Sequence, residues 1–182
     1  MRRSLPLTLL LLALAASACT ATESPNPNPS PQPAGAPSPQ TGPDALTRMV
    51  CEDEVRLELK AALGVDTPQP PTATWAEPTF TCAYAYSDGK LTMTVREQPD
   101  KAATEQYFTA KRDAAAQRKD LPGLGEAAFA LPDGSIYLRK DEKVMFVDVS
   151  GLPDQFGQPP VGRERVALAV VATVMHCWIE VN

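Results

Sequence analysis

The sequence predicts an α+β domain whose mainly antiparallel sheet of about five strands is covered by about three helices. Three segments carry apolar residues at helical spacing, and five short segments alternate apolar with polar residues. Their order is helix, two strands, helix, three strands, helix, which favours hairpins over parallel βαβ units. We expect three parts: a signal peptide (1–18), a lipidated cysteine with a disordered linker (19–44) and one globular domain (45–182).

The first helix is predicted over Glu52–Leu63. Val55, Leu59 and Leu63 recur at intervals of four, acidic residues occupy the first turn, and Gly64 can end the helix. The preceding segment, Ala45–Val50, fits an earlier turn of the same helix.

A hairpin is predicted next, after a loop that contains Trp75 and is enforced by prolines 68, 70 and 71. Alternation over Thr79–Tyr86 places Phe80, Cys82, Tyr84 and Tyr86 on one face. Leu91, Met93 and Val95 alternate in the same way after the Asp88-Gly89 turn.

The second half of the chain repeats this scheme. A surface helix is predicted over Asp100–Arg118 and a core helix over Arg163–Trp178, whose apolar centre is too short to span a membrane. Between them the strands Ala127–Leu131, Ser135–Arg139 and Lys143–Val149 form a predicted meander.

The N-terminus resembles a bacterial lipoprotein signal. Arg2 and Arg3 precede an apolar run over Leu5–Leu14, and small residues lead to Cys19. The resemblance implies that Cys19 is lipidated and that the chain is anchored to the extracytoplasmic face of the cell membrane. A plain secretory signal is the alternative, but it would leave Cys19 as a spare thiol directly before a linker.

The linker follows at once. Eight of the 21 residues of Ser24–Asp44 are proline, and such a stretch cannot bury a core. Proline-rich chain extends by roughly 3 Å per residue, so we expect a semi-rigid tether that reaches about 60–80 Å from the lipid.

Composition excludes several functions. The net charge of −5 argues against nucleic acid as a partner. His176 is the single histidine, so a zincin motif and a three-histidine zinc site are excluded, and we expect no metal and no cofactor. Acidic residues 52–54 fit a helix start better than a catalytic cluster, and Gly123–Ala128 fits a turn better than a dinucleotide motif. No catalytic residue is assigned.

Three cysteines remain once Cys19 is lipidated: Cys51, Cys82 and Cys177. Thiols oxidise outside the cytoplasm, so one disulfide is expected. We favour Cys51 with Cys82, because Cys82 lies on the apolar face of its strand and the first helix needs an anchor to the sheet. A bond between Cys51 and Cys177 stays open as the alternative.

Aromatic residues supply the only candidate ligand contacts. Trp75, in its proline-bounded loop, and Tyr86, at the end of its strand, could stack on a glycan or peptide, whereas Tyr84 fits the core.

The domain also resembles a known group of proteins. Six features carry the resemblance: Cys51, Leu63-Gly64, Cys82, the segment 121–128, Tyr137–Lys140 and Cys177-Trp178. In these features the chain is similar to uncharacterised actinobacterial cell-surface lipoproteins. More distantly, the layout is similar to extracytoplasmic sensor domains of actinobacterial membrane kinases. The resemblance implies a binding role and supplies no catalytic residues.

The leading hypothesis is therefore a lipid-anchored, non-catalytic binding or interaction module of the cell envelope. Its partners would be the membrane, through the lipid, and an envelope ligand or protein of unknown identity. The alternative is a carboxylate-dependent hydrolase of cell-wall material, which would need two acids roughly 5–9.5 Å apart in a cleft.

Overall fold

A computed structural model describes residues 42–180 of the chain. The predicted signal peptide, Cys19 and most of the linker lie outside the described residues. Four helices occur in the described part: α1 (Ala45–Met49), α2 (Asp53–Leu63), α3 (Lys101–Ala114) and α4 (Arg163–Glu180). The strands there are β1 (Thr72–Ala76), β2 (Thr79–Tyr86), β3 (Gly89–Glu97), β4 (Lys119–Asp120), β5 (Ala127–Ala130), β6 (Ile136–Lys140), β7 (Lys143–Asp148), β8 (Gln155–Phe156) and β9 (Val161–Gly162).

The predicted α+β fold with an antiparallel sheet is confirmed. Within residues 42–180, seven strands form one antiparallel sheet in the order β1-β2-β3-β7-β6-β5-β4, and β8 and β9 form a separate ribbon. The predicted hairpin is β2–β3 and the predicted meander is β5–β6–β7. The two join where β3 pairs with β7.

The two additional strands lie at the sheet edges. β4 has two exposed residues, and β1 has four exposed residues out of five, so neither shows the alternating burial that marks a strand in sequence. Trp75 is consequently in an edge strand, where its register partner is Phe80, and not in the expected loop.

The first helical region divides in two. α1 ends at Met49 and α2 begins at Asp53. The prediction that Ala45–Val50 is an earlier turn of the second helix is therefore wrong. Cys51 lies in the turn between the two helices and is bonded to Cys82 of β2, with 5.4 Å between the Cα atoms. This is the pairing that the sequence favoured. Cys177 is buried in α4.

Gly64 ends α2 in the left-handed conformation, with a φ of 67°. A Cβ atom there would also collide with the carbonyl oxygen of Gln158. Both constraints favour glycine at this helix end.

The main core lies between one face of the sheet and helices α1, α2 and α4. Tyr84, Met93 and Val147 are fully buried on that sheet face, and Val166, Val170 and Val174 of α4 pack among them. The Tyr84 hydroxyl donates a 2.7 Å hydrogen bond to the carbonyl of Val50, just before the disulfide. Within residues 42–180, no helix has the length and apolar character needed to cross a membrane.

Candidate functional site

The second face of the sheet is only partly covered. α3 packs against β6 and β7, where Phe108 meets Phe129 and Val144 in a smaller core. Of the side chains of β1, β2 and β3 on this face, Arg96 contacts Tyr107 of α3, and the others lie beyond the strands against which α3 mainly packs. Six threonines dominate that area, which we call the threonine face: Thr72, Thr74, Thr79, Thr81, Thr92 and Thr94.

Strand pairing arranges these threonines as a grid. Thr74, Thr81 and Thr94 are successive register partners across β1, β2 and β3, and the Thr81 and Thr94 hydroxyl oxygens lie 3.5 Å apart. Neighbouring strands are about 4.8 Å apart, and alternate residues of one strand are about 6.7 Å apart. The face therefore presents hydroxyl and methyl groups at regular spacings in two directions.

The same row continues into aromatic residues. Thr94 pairs with Phe146 of β7, which pairs with Tyr137 of β6, which pairs with Phe129 of β5. The rings stack, with centroids 4.2 Å apart for Phe146 and Tyr137 and 5.1 Å apart for Tyr137 and Phe129. Phe129 is buried beneath α3, whereas Phe146 and Tyr137 are half-buried. One row thus crosses the sheet from buried aromatic to exposed hydroxyl side chains.

The threonine face follows from a simple sequence pattern. Threonines occupy alternate positions at 72 and 74, at 79 and 81, and at 92 and 94. In β2 and β3 the intervening residues, Phe80 and Met93, are buried on the core face. Period-two alternation turns each threonine pair outward. This surface was not predicted from the sequence, because it exists only when β1 is a strand and the register of all three strands is known. The repeated Thr-x-Thr spacing is the sequence signal that points to it.

Charged groups border the threonine face without interrupting it. At one end the Arg96 guanidinium lies 4.7 Å from the centre of the Tyr107 ring of α3, and it donates a 3.4 Å hydrogen bond to the Thr79 hydroxyl. At the other end Asp148 is the register partner of Thr92, and its carboxylate accepts hydrogen bonds from Ser150. The six threonines between these ends carry no formal charge.

The structure does not bring the two predicted ligand contacts together. Trp75 is half-buried on the core side of the edge strand, opposite Phe80. Tyr86 lies six residues farther along β2 than Phe80, which is about 20 Å. The two residues therefore do not form one compact site.

Tyr86 is mostly buried. Its ring meets Phe156 edge to face, with centroids 4.9 Å apart, beside a cavity of about 180 Å³. Burial, and to a smaller extent the charge of Asp66, raises the pKa of Tyr86 to about 12. Tyr86 therefore contributes mainly to packing of the core and little to an exposed binding surface.

A larger cavity of about 640 Å³ opens at the start of α4. Its acidic residues are already engaged: Asp133 accepts a hydrogen bond from the Ser135 amide, Asp154 pairs with Arg163 at 3.3 Å, and Glu164 pairs with Lys119 at 2.6 Å. The Asp154 side chain is 92% exposed. Each of these acids therefore has a partner of its own.

The described residues hold no group of three or more histidine, cysteine, aspartate or glutamate side chains that could hold a metal ion. The acidic helix start behaves as expected of a surface helix, with Asp53 paired to Arg56 at 3.1 Å. His176 is exposed on α4.

No protein-family model, curated protein or solved structure matches this chain. The resemblance to cell-surface lipoproteins accordingly stays a prediction.

Proposed function

We propose that this protein is a lipid-anchored, non-catalytic binding module of the bacterial cell envelope and that it binds its ligand on the threonine face. The observation that carries the proposal is the uncovered half of the second sheet face. A sheet normally buries one face and solvates the other with mixed polar and charged side chains. Here the solvated part is instead occupied mainly by six threonines in register over three strands, with Lys90 and Arg96 at its two ends.

The proposed location draws support from two features. The Cys51–Cys82 disulfide suits an oxidising compartment outside the cytoplasm. The signal sequence supplies the route to that compartment, and Cys19 supplies the anchor.

The entry point of the tether suits an anchored module. The Asp44 carboxylate accepts a 2.7 Å hydrogen bond from the Thr47 amide and pairs with Lys143 of β7 at 2.7 Å. The Asp44 amide donates to Glu97 of β3 at 2.8 Å. Burial opposes ionisation of Asp44, but the hydrogen bonds from Lys143 and Thr47 and the charge of Lys143 together outweigh it, so the pKa of Asp44 is lowered. The chain is thus fixed to two central strands where the tether meets the domain.

Sedimentation with isolated envelopes tests the proposal. In the Cys19→Ala background, which removes the lipid, binding by the domain alone is measured. Thr81→Arg with Thr94→Arg places two bulky charges at the centre of the threonine face and should lower the fraction bound at least tenfold. Thr109→Arg with Ala172→Arg adds the same charge at exposed helix positions and should leave binding unchanged. Equal binding by both variants would refute a role for this face.

A further inference from the structure

We propose that the ligand of the threonine face is a neutral, extended polysaccharide chain. This inference rests on the proposed function, and it names the class of ligand that the same surface takes. Three properties of the face carry it: its charge, its shape and its mixture of hydroxyl and aromatic groups.

Charge favours a neutral ligand. Thr74, Thr81 and Thr94 form a row with no formal charge. Of the two cations of β3 on this face, Arg96 contacts Tyr107 and Thr79, and Lys90 lies at the opposite end of the strand. Nucleic acids and other polyanions are bound through several lysine or arginine contacts to their charged groups. The threonine face offers no such set of contacts.

Shape favours a polymer over a small molecule. Small-molecule sites are concave and enclose most of the ligand. The threonine face is a sheet surface, and none of its threonines lines the cavities beside Tyr86 and at the start of α4. A flat surface gains enough contact only from a ligand that extends across several strands. The row from Thr74 to Phe146 spans four strands, or about 14 Å, which accommodates several sugar rings.

Side-chain chemistry favours a sugar over a protein. Energetically important residues of protein interfaces are rich in tryptophan, tyrosine and arginine, whereas threonine is under-represented among them. A threonine hydroxyl both donates and accepts hydrogen bonds, as a sugar hydroxyl does. The half-buried rings of Phe146 and Tyr137, in the same row, adjoin the hydroxyl groups. Because the rings stack on one another, they present their apolar edges beside the hydroxyl groups.

The experiment separates the envelope of the cell into a neutral polysaccharide fraction, an anionic polysaccharide fraction and a protein fraction. Binding of the full chain to each fraction is measured by affinity electrophoresis in native gels. We expect retardation by the neutral fraction. Thr81→Val with Thr94→Val keeps the branched shape but removes two hydroxyls, and should weaken that binding about tenfold. The matched control, Thr109→Val on α3, should bind like the unmodified chain.

Each result is decisive. Binding to the neutral fraction that the double valine variant loses supports the inference. Binding only to the protein or anionic fraction, or unchanged binding by the double valine variant, overturns the ligand class. If envelope sedimentation still depends on Thr81 and Thr94 in that case, the proposed function survives with another ligand. If neither polysaccharide binding nor envelope sedimentation depends on Thr81 and Thr94, both proposals are refuted.

Discussion

Single side chains decide how the helical layer is joined to the sheet. The Tyr84 hydroxyl is buried and donates to the carbonyl of Val50, which precedes the disulfide-bonded turn by one residue. When the donor to a buried carbonyl is removed, water cannot replace the lost hydrogen bond. Tyr84 thus anchors the same turn that Cys51 anchors covalently.

Tyr84→Phe should lower the free energy of unfolding by about 1–3 kcal/mol, because it leaves the Val50 carbonyl without this donor while preserving the ring. Urea denaturation measures the change. Tyr137→Phe is the matched control, since Tyr137 is only half-buried, and it should change stability by less than half as much. Equal losses in the two variants would contradict the role given to the Tyr84 hydrogen bond.

Alkaline pH should reveal the burial of Tyr86. Its pKa is about 12 in the folded protein against an ordinary value of 10.0. A raised pKa means that the stabilisation is complete below pH 10 and is lost as pH rises toward 12. Melting temperatures measured between pH 9 and pH 12 should fall less steeply for Tyr86→Phe than for the unmodified chain. Parallel curves would show that Tyr86 is not the group responsible.

At the scale of elements, the disulfide holds the turn between α1 and α2 against β2. Residues 51 and 82 are 31 apart in sequence, so the bond closes a substantial loop. In the chain-entropy model a closed loop of this length stabilises the folded state by about 3–4 kcal/mol.

Reduction should therefore lower the free energy of unfolding by about that amount in urea denaturation with and without reductant. Peptide mapping of the unreduced chain should recover Cys51 linked to Cys82. A peptide that links Cys51 to Cys177 would instead establish the alternative pairing.

Elements with a buried face can be predicted from the sequence, whereas mostly exposed elements cannot. β2 and β3 alternate buried core residues with more exposed ones because one face is buried, and both were predicted. β1 was not, because four of its five residues are exposed and its pairing depends on β2. The threonine face could not be found without β1, since a surface built from three strands exists only once their register is known.

At the scale of the whole molecule, the predicted anchor and tether would together hold the domain at a distance from the membrane. In the proposed arrangement Cys19 would fix the chain to the membrane and the proline-rich segment would set its reach. The Asp44–Lys143 pair joins the start of the domain to the sheet. The threonine face would then be presented to the surrounding envelope at a distance from the lipid.

Cys19→Ala should release the protein from membranes and remove the mass of a lipid adduct, because it removes the thiol to which we propose the lipid is attached. Fractionation of cells followed by mass spectrometry of the N-terminal peptide measures both. A variant that still sediments with membranes as completely as the unmodified chain would show that Cys19 is not the anchor.

Threonine methyl spectra of the Cys19→Ala chain, recorded with and without the neutral polysaccharide fraction of the envelope, test the central claim most directly. The threonine face predicts that the signals of residues 72, 74, 79, 81, 92 and 94 shift. The signals of Thr47 and Thr104, which are buried elsewhere, and of Thr109 on α3 should stay in place. Shifts confined to residues outside the threonine face, or no shifts at all, would contradict the account.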